Sequence, residues 1–479
     1  MAHHDPRTSV LGGTYADPAV ASSRIQLRRA LTLFLMTLVM PGSAQLVHGD
    51  RRIGRIAIRV WLASITLAVL AGLTFLVNRS LVFDLFTAGW VMTVGRWILL
   101  VGAVAWVALF ADALRLSQPR RLQSSHRVVA AGVSGVLSVA TAGALFFAAH
   151  LVAVQDDFIG TVFTSSAVSK PHDGRYNILL LGADSGKGRD GLRPDSLNVV
   201  SIDADTGRAV MVGLPRNLED VPFPEGSVMA EQFPSGFTCE GCMLNGVFTW
   251  AQDHKDLFDT DEPGLEATMD AAEAITGLKI NYHAMVDMAG FSKLIDAVGG
   301  VRINVRERTA IGGIGAPITG YVEAGNRVLT GREALWYARS RVQNDDWSRM
   351  GRQKCVMSAM LQQLSPSKVL SNIQGITESG TAMIETDIPR QDLDVFMDLA
   401  LKTRAMPISS VSLVPPVIYT GNPDYRKVRT LVKDAIAKTD SDYRAPATMA
   451  AATIPLATYA TSEKDPKRAN QTEDLRSSC

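Results

Sequence analysis

Three apolar runs in the first third of the chain, at 56–77, 91–114 and 128–154, constrain its fold more than any other feature. Each reaches the roughly 20 residues that a helix needs to cross a bilayer. Runs that are apolar on every side do not pack as surface helices of a soluble domain. A shorter run, Ala30 to Met40, is about half the spanning length. Arg24, Arg28 and Arg29 precede it, and Pro41-Gly42 interrupts it before Arg51 and Arg52. Positive charge on both sides favours a segment that dips into the cytoplasmic face and returns. Arg51, Arg52, Arg55 and Arg59 flank the first long run, and Arg115, Arg120, Arg121 and Arg127 fill the loop between the second and third. Both clusters should face the cytoplasm, so three crossings place everything after Val154 outside.

The chain has 479 residues, more than one ordinary domain, and its apolar excess is concentrated before residue 155. Expected parts are a disordered cytoplasmic N-terminus at 1–29, a membrane region at 30–154, a polar linker at 155–172, an extracytoplasmic domain at 173–438 and a disordered tail at 439–479. Net charge is +1, so there is no global basic field and nucleic acid is not an expected partner. Four cysteines are too few for a disulfide scaffold.

Within the second part, Tyr176 to Asp203 reads YNILLLGADSGKGRDGLRPDSLNVVSID. Asn177 to Leu181 and Leu197 to Ile202 are short, apolar and rich in branched residues, which predicts two buried strands of one sheet. The loop between them carries Asp184, Arg189, Asp190, Arg193 and Asp195. Carboxylates suit a hard cation such as Mg²⁺ or Mn²⁺, and Arg forks suit phosphate, so a metal-assisted pyrophosphate site is one reading. A solvated loop with a local Arg and Asp network is the other. A P-loop is excluded: GADSGKG has three residues, not four, between its glycines, and no Ser or Thr follows Lys187.

The rest of the domain alternates the two periods. A third strand is predicted at 208–214, followed by Pro215-Arg216-Asn217. The segment 218–248 looks like loop, and Pro263 and Gly277 bracket a helix. Tyr282 to Val286 predicts a strand. Phe291, Leu294, Ile295 and Val298 predict a helix, and Val301 to Val305 another strand. A last helix is expected near 390–402 and a strand at 411–414. Together these argue an α/β fold, a mixed central sheet with helices on both faces, behind an all-α transmembrane region. Thr330 and Glu333 have capping-box spacing and start a helix that runs towards Arg339-Ser-Arg341. Arg339 and Arg341 share a face only if the chain has become extended there. Arg349, Arg352 and Gln353 share a face of the next helix. Ordinary exposed basic residues would explain the same pattern.

In order, Asn177 to Asp184, Arg193-Pro-Asp195-Ser, Leu214-Pro-Arg216, Leu244-Asn245, Val286 to Val301 with Asp296-Ala-Val-Gly-Gly, Leu329-Thr-Gly-Arg-Glu-Ala, Arg339-Ser-Arg341 and Arg349-Met-Gly-Arg352-Gln353 resemble the LytR-CpsA-Psr family of cell-envelope phosphotransferases. The resemblance implies transfer of a glycopolymer from a polyprenyl pyrophosphate carrier to peptidoglycan. On it, Asp184 and Asp195 match the metal carboxylates and are candidate catalytic groups with Arg193 and Arg352. Arg193, Arg216, Arg339, Arg341, Gln353 and Asn245 match the pyrophosphate pocket. A likeness to actinobacterial members implies decaprenyl-linked arabinogalactan as donor and a muramic acid hydroxyl as acceptor. A pyrophosphate hydrolase and a non-catalytic membrane-anchored regulator are the competing functions. Asn217 departs from the family's usual Asp. Cys239 and Cys242 depart too. Structural zinc there would need four thiolate or imidazole ligands, and only Cys355 and a few scattered His are at hand. In an oxidising exterior a disulfide is the better reading, either Cys239 to Cys242 or from one of them to Cys355, with Cys479 unpaired in the tail.

The topology is testable at once. A reporter enzyme that works only outside the cytoplasm, fused after Val154, is expected to be active. Activity from a cytoplasm-only reporter at the same junction would overturn the arrangement.

Overall fold

The computed structural model describes residues 18–77, 82, 85, 88–164, 168–183, 193–313, 317–342, 346–363, 384–444 and 475. The chain forms two compact units, Met1–Ala153 and Val154–Cys479. The first is helical: α1 (Pro18–Val39), α2 (Ser43–His48), α3 (Arg51–Val77) and α4 (Gly89–Leu116), with α5 (Ser124–Val162) beginning in it. Helices α3, α4 and α5 are long and apolar enough to cross a membrane. Leu67, Leu76, Trp97 and Val101 on them are exposed, as side chains facing lipid would be. Helix α1 starts at Pro18, earlier than the boundary expected at Ala30. Its reason is periodic: Leu27, Ala30 and Phe34 fall on one face, which packs with Phe110 and Ala113 of α4. Pro41-Gly42 does break the helix. Gly42 takes φ +93°, and a Cβ there would lie 2.6 Å from Ala57 Cβ, so only glycine lets α2 turn back against α3.

The expected linker at 155–172 is shorter in the structure. Helix α5 continues to Val162 because Ile159 and Val162, hidden among polar neighbours, are buried at 4% exposure each. Strand β1 (Phe163–Thr164) follows directly, then β2 (Arg175–Ala183), β3 (Pro194–Asp203) and β4 (Ala209–Leu214). The 218–248 segment, read as loop, contains the short α6 (Val228–Gln232) and the start of α7 (Leu244–Asp253). Between them Cys239 and Cys242 are joined in a disulfide, Cα to Cα 5.1 Å. That settles the local pairing against a bond from either to Cys355. Cys355 is buried and disulfide-bonded as well, but not to this pair. Cys479 lies outside the described residues.

Helix α8 (Pro263–Thr276) has Pro263 in its first turn and Gly277 at φ +77° past its end, as the sequence signals required. Then come β5 (Tyr282–Asp287), α9 (Met288–Ala297), β6 (Val301–Val305), β7 (Thr309–Ile311), β8 (Gly320–Val322), β9 (Gly325–Leu329), α10 (Gly331–Arg339) and α11 (Asp346–Gln363). The domain closes with β10 (Ile384–Pro389), α12 (Leu393–Ala405), β11 (Ile408–Ser412) and α13 (Tyr425–Arg444). Helix α13 carries the domain past its expected end at 438, because Val428 and Val432 are buried in the core beside α8. The predicted tail beyond 444, residue 475 apart, lies outside the described residues.

Seven strands form one mixed sheet in the order β1-β10-β5-β2-β3-β4-β11. Strands β2 and β5 run parallel, while β3 lies between β2 and β4 and runs antiparallel to both. Leu179, Leu181, Leu197 and Val199 face a core with α7, α8 and α13, and Ile178, Ile202 and Met211 face a second core with α12. Burial on both faces explains the unbroken apolar runs in these strands. Strand β6 is not in this sheet: it pairs with β9 in a separate ribbon over Ile295, Ala334 and Tyr337. Two motifs meet there. Asp296 Oδ1 accepts the Gly331 N–H at 2.7 Å, capping α10 from the side, while Thr330 and Glu333 complete the capping box.

One buried cation ties the far end of the sheet. Arg175 donates from Nε to Ser201 Oγ (2.8 Å), from Nη2 to the Ser201 and Arg208 carbonyls (3.0 and 3.1 Å) and from Nη1 to Asp440 (3.0 Å), with Asp203 at 3.8 Å. Burial pushes the Asp203 carboxyl up, but the Thr206 hydroxyl and amide, Arg175 and the Asp205 amide outweigh it and hold it below the ordinary value. Replacing Arg175 by Ala strands buried acceptors and is expected to cost about 3 kcal/mol in a denaturant melt at neutral pH. Asp203's own share is present above the ordinary carboxylate pKa and lost as pH falls through its lowered native one. Unchanged stability in Arg175→Ala would remove this network from the account.

Candidate functional site

The parallel register of β2 and β5 sets Ala183 beside Asp287, so both strands end at one edge of the sheet. Beyond Ala183 the chain enters 184–192, and the candidates Asp184, Arg189 and Asp190 lie outside the described residues. Strand β3 returns at Pro194 and brings Asp195 to the same edge. A cavity of about 230 Å³ opens there. Its polar end carries Asp195, Asp287, Arg339 and Gln353. Its walls are apolar, with Leu180 and Val286 from the sheet, Phe291 from α9, Leu335 from α10 and Val356 and Met360 from α11. A smaller cavity of about 30 Å³ shares Asp195, Asn198, Gln353 and Met357 with it and adds Arg216, Arg349 and Lys354.

Asp195 and Arg216 are the closest pair of the site. Leu197 pairs with Leu214 across β3 and β4, so the residues flanking that rung stand side by side. Arg216 Nη1 donates to Asp195 Oδ1 at 2.6 Å, with both side chains partly exposed to the cavities. The Asn245 N–H donates to the Arg216 carbonyl at 3.0 Å as α7 begins. Asn245 therefore acts through its backbone on the turn that presents Arg216, and it lines neither cavity. Asn217 donates to Thr420 Oγ1 at 3.2 Å and also lies off both linings, so the departure from Asp falls outside the cavities.

Arg339 closes α10 and lines the large cavity, with Nη1 2.7 Å from Met288 Sδ and its guanidinium 4.9 Å from the Trp336 ring centre. After it Ser340 is extended (φ −61°, ψ 137°), the conformation that spacing of two required for Arg339 and Arg341 to share a face. Arg341 and Arg193 are exposed, and neither is in the lining of these two cavities. Gln353 lines both.

Arg352, expected among the catalytic groups, reaches the end of α10. Its Nε donates to the Tyr337 carbonyl at 2.7 Å and its Nη2 to the Ser340 carbonyl. The last carbonyls of a helix lack intrahelical partners, and this guanidinium satisfies them. Arg352 thus holds the segment that carries Arg339 and Arg341, and it is in the lining of neither of these two cavities.

Sequence reasoning missed Lys354. It is 3% exposed, and Nζ donates to Ser412 Oγ on β11. Burial pushes its amine down to about 8. No local signal marks it, because a lysine in a basic helix reads as surface until α11 is seen to lie between the sheet and the smaller ribbon's core. Asp287 was missed for a related reason: it accepts the Gly290 N–H at 2.6 Å as the N-cap of α9, a structural duty performed at the cavity edge.

The LytR_cpsA_psr family profile matches residues 152–440. The chain is 25% identical over 274 residues to the polyisoprenyl-teichoic acid–peptidoglycan teichoic acid transferase TagV of Bacillus subtilis, covering 54% of this chain and 64% of that protein. It is 25% identical over 289 residues to the cell wall biosynthesis protein LcpA of Corynebacterium glutamicum, covering 53% and 52%. The regulatory protein MsrR of Staphylococcus aureus is 28% identical over 222 residues, covering 46% and 58%. The chain therefore spans between 52% and 64% of the length of these relatives. The crystal structure of B. subtilis TagV aligns with a TM-score of 0.41 at 23% identity, over 56% of this chain and 98% of that one. The matched stretch 152–440 is more than half of the chain and contains both cavities and every strand of the mixed sheet, and the chain belongs to the LytR_cpsA_psr family.

Proposed function

We propose that the chain is a membrane-anchored, extracytoplasmic phosphotransferase that moves a glycopolymer from a polyprenyl pyrophosphate carrier onto peptidoglycan. The observation that carries this reading is the large cavity itself, a mostly apolar slot whose lining also includes Asp195, Asp287 and Arg339. An isoprenoid pyrophosphate has the same division, a long apolar chain and a dense anionic head. The names of TagV and LcpA, which concern teichoic acid transfer to peptidoglycan and cell wall biosynthesis, agree with it.

In this reading Arg216 and Arg339 grip the pyrophosphate oxygens, Gln353 orients the head, and Arg193 and Arg341 reach in from the exposed rim. The acceptor hydroxyl oxygen attacks the phosphorus on the glycan side, a phosphodiester forms, and the bond to the bridging oxygen breaks to release polyprenyl phosphate. Asp184 or Asp195 accepts the hydroxyl proton. The donor set at the polar end is oxygen-only carboxylate, which fits a hard cation, Mg²⁺ or Mn²⁺, held by Asp195 together with Asp184. Such an ion supplies neutralisation of the charge that develops on the phosphates. Decaprenyl-linked arabinogalactan is the proposed donor and a muramic acid hydroxyl the acceptor, on the likeness to LcpA and the Ala- and Val-rich membrane region.

The full chain in lipid nanodiscs, given a polyprenyl pyrophosphate-linked glycan and peptidoglycan with Mg²⁺, is expected to yield a phosphate-linked product. Asp195→Ala should lower that rate by at least ~10²-fold, as removal of one transition-state stabiliser does. Arg216→Lys and Arg339→Lys should also be impaired, because the charge stays but the planar fork is lost. Near-normal turnover in all three would refute the assignment.

The apolar walls have a separate signature. Leu335→Gln is expected to raise KM for a long-chain carrier and to leave KM for a short, water-soluble pyrophosphate analogue unchanged. Equal effects on both would mean that the slot does not hold the isoprenoid chain.

A further inference from the structure

Strand β5 has two faces, and the proposed transfer uses only one. Ala284 and Val286 turn to the large cavity, while His283 and Met285 turn the other way, towards α8. His283 is the notable residue there, since its side chain is 4% exposed. Asp387 on β10 takes the His283 backbone N–H at 2.7 Å on Oδ1 and places Oδ2 3.2 Å from Nδ1. That contact is off the hydrogen-bond line, and Nε2 meets no donor or acceptor, so neither ring nitrogen of this buried imidazole completes a hydrogen bond. A buried polar atom left so is costly unless something fills the place.

Two carboxylates face the ring. One ring nitrogen and one oxygen from each of Glu262 and Glu385 lie within 4.8 Å of one another. Glu262 is the exposed residue just ahead of α8, and Glu385 is half-buried on β10. We infer that Glu262, His283 and Glu385 form a second divalent-cation site, of the class that Zn²⁺ occupies, on the face of the sheet opposite the proposed transfer site.

The chemistry of the donors selects the ion. An imidazole with two carboxylates is a mixed nitrogen and oxygen set, which suits Zn²⁺ and is poor for Mg²⁺ or Ca²⁺. Asp387 Oδ2 lies 3.2 Å from Nδ1, near enough to orient the imidazole once an ion binds. Zinc at about 2.0–2.2 Å from each donor needs donors about 3.4 Å apart, and the three donors here lie within 4.8 Å of one another. A cation there would meet the carboxylates of Glu262 and Glu385 and the imidazole of His283. It would join the start of α8, β5 and β10, which makes its role a staple across the sheet and not a part of transfer.

The test uses the full chain in detergent, stripped with a chelator and titrated with ZnCl₂ alone. One Zn²⁺ per chain is expected, with an imidazole in its X-ray absorption fine structure, a raised Tm, and no displacement by excess Mg²⁺. Glu262→Gln lies on the surface and leaves the fold intact, so at least a tenfold loss of Zn²⁺ affinity in it and in Glu385→Gln supports the site. Asp195→Asn should bind Zn²⁺ as the unaltered chain does. Zinc binding unchanged in the Glu262→Gln, Glu385→Gln double variant, or absent from the unaltered chain, overturns the inference.

Discussion

The parallel pairing of β2 with β5 is the constraint on which the rest of the domain depends. It aligns Ala183 with Asp287 and makes two strands stop together, which opens a gap at one sheet edge. A shift of one residue would turn Leu179 and Leu181 out of the core with α8 and present Leu180 and Gly182 to it. The same shift would exchange Ala284 and Val286 for His283 and Met285 in the cavity wall. Burial of both faces excludes that slip, because each face of β2 already packs against its own helical layer. The cavity is therefore a consequence of register and not of any single polar contact.

On that frame the arginines divide by what their neighbours leave unsatisfied. Arg216 follows the end of a strand and Arg339 closes a helix, and both line cavities. Arg352 sits one turn into the reach of the α10 terminus, whose open carbonyls bind its guanidinium. Arg175 is spent in the same manner at the other end of the sheet. A motif rich in arginine thus mixes side chains that line a cavity with side chains that hold the backbone, and the nearby orphan carbonyls separate them.

This division also explains what could be read from the sequence. Strands β2, β3, β4 and β5, helices α8, α9 and α10 and the three long membrane helices carry their periods and caps in plain view, and the mixed sheet follows from them. The capping box at Thr330 and the extended Ser340 were legible for the same reason, being local. Strand β6 was assigned to the wrong sheet because period two says nothing about the partner. Strand β10 has Glu385 and Asp387 on one face and Thr386 on the other, so it lacks an apolar alternation to find. Its place depends on His283 and Tyr282, residues roughly a hundred positions away. The buried Lys354 and Arg349 were illegible because a helix enclosed on two sides looks, from its own sequence, like an exposed one.

The two faces of β5 also bear on why the proposed ion-binding cluster lies so near the cavity without contributing to it. His283 and Ala284 are adjacent in sequence, yet their side chains leave the sheet in opposite directions, so charge on one side is separated from the other by a full layer of backbone. Strand β10 joins β5 through only three register pairs, from Ile384 to Thr386, and its one other neighbour is the two-residue β1. A strand held so briefly gains more from a cross-link than a central one does, and Glu385 lies in the middle of those three pairs. Any fraying of β10 would loosen β5 and, with it, Asp287 and Val286 at the cavity edge. Stabilising the back of the sheet is in this way a means of holding the front in register, without placing a single ligand in the front cavity.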